Sequence, residues 1–257
     1  SWRSVYDLAA GGAEVEEVMI SRLGSNSRTN IIVGYSMVNQ GERVLSVYDY
    51  RQGELTETLN SSYSLADVCD LDRNGENELL IVCGQALSQS ARAMTYVLAQ
   101  DGSYYESRVE LNEAFTDFAN LLYGNTAEGI PCVWLDGITG PSTVQTQVLT
   151  LENGVLTLLY SDKDSGIRTV RQSGYLTCDL DGDGVAEIPV NTLFPGYTDA
   201  TESEQIPMTS WYECRGGKLM RKCSGYYSPA RQFAFVLPRR WERKVTLKQD
   251  ALAEELV

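Results

Sequence analysis

Two stretches of the chain, VCDLDRNGENELLIVCG (residues 68–84) and TCDLDGDGVAEIPV (residues 177–190), place carboxylates and a turn glycine between two apolar runs, in the same order. Their first aspartates, Asp70 and Asp179, lie 109 residues apart. A chain that repeats so specialised a connection also repeats the unit around it. A second marker defines that unit: an apolar run, a short turn with glycine, and another apolar run. It recurs as LSVYDYRQGELTETL, MTYVLAQDGSYYESRV, QVLTLENGVLTLLY and SWYECRGGKLMRKCSG, with turn glycines Gly53, Gly102, Gly154 and Gly217. The spacings are 49, 52 and 63 residues, so the third interval carries an insertion.

Each marker reads as a β-hairpin, with aromatic and β-branched residues alternating around the turn. Upstream of each lies another pair of strand-like runs: EEVMISRL and TNIIVGYS, LADVCDLD and ELLIVCG, DFANLLYG and GIPCVWLD, GYLTCDLD and EIPVNTLF. Four strands per unit, four times over and with hardly any amphipathic helix, predict an all-β chain, a β-propeller of four-stranded blades. A pair of β-sandwiches is the competing all-β arrangement, and it does not require one element order to recur at regular spacing. Blades are expected at residues 13–60, 61–112, 113–165 and 166–227, within a propeller spanning 1–230. Residues 1–12 read as the outer strand of a preceding or closing blade, because WRSVYDL mimics the second arm of the hairpin marker. Residues 231–257 break the pattern. They read as closing strands of a fifth blade, which would remove exposed sheet edges, or as the start of another domain.

In the first acidic loop Asp70, Asp72 and Asn74 occupy positions 1, 3 and 5, Gly75 position 6 and Glu78 position 9. Asp179, Asp181, Asp183, Gly184 and Glu187 take the same places in the second. Alternate oxygen ligands in a tight loop converge on one hard cation, and the position 7 carbonyl, of Glu76 or Val185, is a natural further ligand. Oxygen donors without sulfur or imidazole select Ca²⁺. An EF-hand would need a glutamate at position 12, where this chain has Ile81 and Val190. The pattern instead resembles the FG-GAP or VCBS-type repeat of integrin α-subunit-like propellers, specifically at residues 65–84 and 174–190 and weakly over 13–227. That resemblance implies calcium loops that are structural, and a secreted or cell-surface setting such as a bacterial lipoprotein. The other two units hold the loop's place with SRLGSNSRTNIIVG and LLYGNTAEGIPCVW, without its carboxylates. Two structural calcium sites are therefore expected.

Composition narrows the function classes. The 21 Lys and Arg stand against 35 Asp and Glu, a net charge of −14 that argues against nucleic acid and anionic membranes as partners. There is no histidine, which excludes Ser-His-Asp triads, Cys-His dyads and imidazole bases. No apolar run is long enough to span a bilayer, and no stretch of this sequence reads as a signal peptide. Ser1 in place of Met reads as a processed or excised piece. Of the six cysteines, Cys69 and Cys178 precede the first aspartate of each loop and read as buried free thiols; Cys214 and Cys223 flank one hairpin and are the candidates for pairing.

Because chain direction alternates along a blade, the acidic loops share one face with the hairpin turns. Binding is therefore expected on the opposite face, built from YSMVNQGER, GQALSQSAR, LDGITGPST and the insertion NTLFPGYTDATESEQIPMT. The insertion offers Phe194 and Tyr197 as stacking groups for a ligand, with Asp199, Glu202 and Glu204 beside them. The expected function is a non-catalytic, extracytoplasmic binding module for a protein or glycan. A carbohydrate-active enzyme using acids such as Asp136, Asp162, Asp164 and Glu128 is one alternative, and an architectural spacer in a surface lipoprotein is another.

Overall fold

The computed structural model describes residues 13–257 apart from 26–27, 38–42, 87–88, 165, 198–199, 202–204, 251–254 and 257. The chain is all-β, and its strands fall into four successive antiparallel sheets. Sheet 1 holds β1 (Ala13–Ser21), β2 (Asn30–Met37), β3 (Arg43–Arg51) and β4 (Glu54–Ser62). Sheet 2 holds β5 (Leu65–Cys69), β6 (Glu78–Cys83), β7 (Arg92–Leu98) and β8 (Tyr104–Glu110). In sheet 3 are β9 (Asp117–Asn125), β10 (Pro131–Gly140), β11 (Thr143–Glu152) and β12 (Val155–Tyr160), with the two-residue β13 (Arg171–Gln172) against β11. Sheet 4 holds β14 (Glu187–Leu193), β15 (Pro207–Arg215), β16 (Lys218–Ser228) and β17 (Phe233–Val236). A short ribbon of β18 (Gln249–Asp250) and β19 (Glu255–Leu256) follows. All four hairpin turns place their marker glycine at positive φ, from +70° to +94°, where a side chain would be strained.

The core lies between neighbouring sheets, and the alternation of side chains along the inner strands explains how. Every residue of β6 is buried. Leu79, Ile81 and Cys83 pack with Ile32, Leu45 and Val47 of sheet 1, while Leu80 and Val82 turn to Val133 and Leu135 of sheet 3. β10 repeats this: Val133 and Leu135 face sheet 2, and Cys132 and Trp134 face Ile188 and Cys214 of sheet 4. A strand covered on both faces must be apolar throughout. That requirement produced the unbroken ELLIVC and CVWL runs. The fourth strands β4 and β8 alternate exposed and half-buried residues instead.

Several expectations are corrected. The run GYLTC does not form a full first strand for sheet 4; only Cys178 bridges to Glu187. The reason is upstream: the Thr177 N–H is donated to the Asp136 carboxylate at 2.7 Å, so it is not available to a ladder with β14. Cys178 is exposed, whereas Cys69 is buried as expected. All six cysteines are free, and the register sets Cys214 opposite Leu219 and Cys223 opposite Trp211, which keeps that pair apart. Phe233–Val236 pairs with β16 at the edge of sheet 4. The strand expected at residues 1–12 lies outside the described residues. No helix among the described residues is long and apolar enough to cross a membrane.

Candidate functional site: two acidic loops and an opposite cleft

The loop from Asp70 to Glu78 joins β5 to β6 and closes on the Cys69–Glu78 pair. Its backbone is wound by its own side chains. Asp70 Oδ2 accepts the Gly75 N–H at 3.0 Å, Asp72 Oδ1 accepts the Asn74 N–H at 3.1 Å, and Asn74 Oδ1 accepts the Glu76 N–H at 2.7 Å. Glu78 turns back so that Oε2 accepts the Leu71 N–H at 2.7 Å. Two residues take positive φ, Arg73 at +58° and Gly75 at +88°. Carboxylate oxygens of Asp70, Asp72 and Glu78 come within 4.8 Å of one another, a group that could hold a metal ion. Asn74 and the Glu76 carbonyl belong to the same turn.

The chemistry of this donor set fits a cation. Glu78 is fully buried, and its Oε1 has no hydrogen-bond partner; neither has the buried Oδ1 of Asp70. Burial, countered in part by the Leu71 N–H and helped by neighbouring Asp72 and Asp70, pushes the Glu78 carboxyl up to about 7. An unpaired buried carboxylate is costly unless a positive charge completes it. Sheet 3 covers the loop from one side: Tyr123 donates its hydroxyl to the Asp70 carbonyl at 2.8 Å, and Arg73 reaches out to Asn125.

The second loop, from Asp179 to Glu187, is built on the same frame. Gly184 N–H donates to Asp179 Oδ2 at 2.9 Å, Val185 N–H to Asp183 Oδ1 at 2.9 Å and Leu180 N–H to Glu187 Oε2 at 2.8 Å. Gly182 and Gly184 take the positive φ values that Arg73 and Gly75 take in the first. Asp179, Asp181 and Glu187 also form a group that could hold a metal ion. Here, however, Lys222 of β16 is already among the carboxylates. Its Nζ lies 2.6 Å from Glu187, 2.7 Å from Asp183 and 2.9 Å from Asp181. Burial works against the ammonium, but its bonds to Asp183, Glu187 and Asp181 outweigh burial and raise the Lys222 pKa. The same contact holds Asp183 below the usual carboxylate range, while burial keeps Glu187 above it.

At the other end of the strands, away from these loops, sheets 1, 2 and 3 enclose a cleft of ≈ 240 Å³ lined by Arg43, Tyr63, Ser64, Gln85, Arg92 and Asp117. Arg43 is held to Asp117 at 2.8 Å. Burial and the nearby Glu17 push the Tyr63 hydroxyl up to about 12, which keeps it neutral.

No family model matches the chain, and no curated protein does. Among the solved structures that resemble it is the crystal structure of the exotype rhamnogalacturonan lyase YesX, at 13% identity and a TM-score of 0.47, matched over 80% of this chain and 48% of that one. The chain thus spans about half the length of the solved protein it matches. One expectation is corrected on this finding: the similar structure is that of an enzyme, so the expectation of a non-catalytic chain is withdrawn.

The remaining site expectations also change. Phe194 is not presented to a ligand; it is buried with Ile206 and Leu237 in a small core that the C-terminal segment completes. Tyr197 packs on that core and donates its hydroxyl to the Leu247 carbonyl. Asp199, Glu202 and Glu204 lie outside the described residues. The acids considered for glycoside chemistry are not brought together as a free pair. Asp136 is fully buried and paired with Arg171 at 2.8 Å, and it also accepts from Thr146 and Thr177. Asp162 accepts from Tyr160 and from Thr169 in its own connection, and Glu128 sits in an exposed turn beside Thr126. What sequence reasoning missed is Lys222, which carries no local signal because it acquires its role from a strand far away in sequence. Arg43 and Arg92 end YSMVNQGER and GQALSQSAR, two of the loops expected to build the binding face, and both line the cleft.

Proposed function

We propose that the chain is a calcium-stabilised, β-propeller-type module of an extracytoplasmic protein that takes a carboxylate-bearing glycan in the cleft opposite its acidic loops. The observation that carries the calcium reading is the buried, half-satisfied Glu78 inside the cluster of the first loop. Asp70, Asp72, Asn74, the Glu76 carbonyl and Glu78 are the groups that would hold the ion, and hard oxygen donors of this kind suit Ca²⁺. Calcium here fixes the connection between two buried strands. The sheets support the propeller reading by their order: the inner strands of sheets 2 and 3 pack on the sheet before and the sheet after. An FG-GAP-like repeat accounts for both the loop and this stacking.

The glycan reading rests on the cleft. Arg92, in a chain of net charge −14 and beside an Arg43 already held to Asp117, marks a place for an anion, and the surrounding Ser64, Gln85 and Tyr63 offer the donors and acceptors that sugar hydroxyls need. A panel of uronate-containing and neutral glycans tests it, with binding and sugar release measured in the same samples. Binding restricted to acidic glycans and weakened at least about tenfold by Arg92→Ala, the loss of one charge-assisted contact, is the expected result. Release of sugar would place the chain among carbohydrate-active enzymes working at this cleft. Indifference to every acidic glycan, or binding unchanged by Arg92→Ala, would overturn the reading.

A further inference from the structure

The two acidic loops match residue for residue at positions 1, 3 and 9, yet only one has room for an added charge. In the first loop, two buried carboxylate oxygens lack a partner. In the second, every corresponding oxygen is engaged. Asp179 Oδ1 accepts from Gly182 and Asp183, its Oδ2 accepts from Gly184, and Glu187 Oε1 accepts from Lys222. The Lys222 ammonium touches three of the groups that would hold an ion.

The surroundings explain why an ammonium can sit there. In the first loop, β9 of sheet 3 lies against the acidic turn through Tyr123. The second loop meets β9 through the Asn125 N–H on the Gly184 carbonyl at 3.1 Å, and on its other side it opens on a cavity of ≈ 570 Å³ lined by Asp179, Asp181, Lys222, Cys223 and Tyr227. A lysine on β16 of the same sheet therefore extends along this open side and turns its headgroup inward. It is 22% exposed at the side chain, whereas Glu187 beneath it is fully buried.

The structure assigns Lys222 as a tethered counter-cation that fills the second loop in place of a divalent ion, so that the chain binds one Ca²⁺ and not two. This rests on the reading of the first loop as a calcium site, and it departs from the two sites expected from the sequence, each of which has an acidic group that could hold an ion. A lysine has a consequence that an ion lacks: it cannot be removed by a chelator, so the second connection is held at any calcium concentration.

Calcium titration of the intact chain by calorimetry tests the assignment, with terbium luminescence as a second readout. The wild type binds one ion per chain; Asp72→Ala abolishes binding, and Asp181→Ala leaves the stoichiometry at one. Lys222→Met removes the charge at nearly constant length and raises the stoichiometry to two. A wild type that binds two ions, of which Asp181→Ala removes one, overturns the assignment and leaves the first-loop reading standing. So does a folded Lys222→Met that still binds one. A wild type that binds none, with Lys222→Met binding one, overturns the first-loop reading and leaves Lys222 assigned. The Asp72→Ala and Asp181→Ala pair decides the matter even if Lys222→Met does not fold.

Discussion

The first and second acidic loops share a backbone frame and differ in what neutralises them. Both begin at an aspartate that caps the amide five residues on, and both end at a buried glutamate that caps the amide at position 2. In the first, two buried oxygens are left over; in the second, Lys222 takes up Glu187 Oε1, and the Gly182 and Asp183 amides take up Asp179 Oδ1. The lesson is that a liganding pattern in sequence specifies the shape of a turn. It does not specify the cation. Three convergent carboxylates repel one another unless positive charge is supplied, and the supply can come from solution or from a strand two positions away in the sheet.

The entry to each loop differs as well. The first is entered from a full ladder, Leu65–Cys69 against Glu78–Val82. The second is entered from the buried Asp136–Arg171 pair, to which Thr177 is bound through both its N–H and its hydroxyl. The clamp replaces the ladder. Asp136→Ala should therefore give the largest loss of any change considered, about 3–5 kcal/mol, because it strands a buried guanidinium. Chemical denaturation measures it, and added calcium should not restore it; a loss below about 1 kcal/mol breaks the comparison at this point.

Chelation gives the next largest effect. Removing calcium held at a hundredfold over its dissociation constant should cost about 2.7 kcal/mol, seen as a lower melting temperature in EDTA. Asp72→Ala should remove that response, and Asp181→Ala should keep it. Equal dependence on both aspartates would erase the distinction between the loops.

Glu78→Gln sharpens it further. In EDTA the amide relieves an unpaired buried carboxylate, so the variant should be more stable than the wild type, by about 1–3 kcal/mol. In calcium the order should reverse, because the wild type gains an ion that the variant holds poorly. Melting curves in both conditions check the crossover; curves that keep one order in both would contradict it.

How much of this was legible in the sequence follows from the range of each interaction. The hairpins were readable because alternation and a turn glycine are local, and Gly53, Gly102, Gly154 and Gly217 all take the positive φ their turns require. The oxygen donors of the loops were readable for the same reason. Lys222 was not, since it lies 35 residues beyond Glu187 on a strand whose other residues look like ordinary β-sequence. Phe194 was misread because an aromatic beside Pro195 and Gly196 resembles an exposed turn. Its covering residues, Leu237, Val245 and Leu247, belong to a tail that shows no repeat.

The smallest effect concerns position 4 of the loops, Arg73 at φ +58° in one and Gly182 at φ +78° in the other. Gly182→Ala should cost about 1 kcal/mol, and Arg73→Gly should change stability by less than that, since relief of strain is offset by chain entropy. A Gly182→Ala variant as stable as the wild type would show that the second loop tolerates a different backbone.

The central claim is that one loop holds an ion from solution and the other holds its own lysine. A crystal grown in calcium, or soaked with terbium, and measured for anomalous scattering tests it most directly. The account predicts one strong peak per chain, enclosed by Asp70, Asp72, Asn74, the Glu76 carbonyl and Glu78, with Lys222 Nζ remaining between Asp181, Asp183 and Glu187. Two peaks of equal strength, with Lys222 swung out of the second loop, would contradict it.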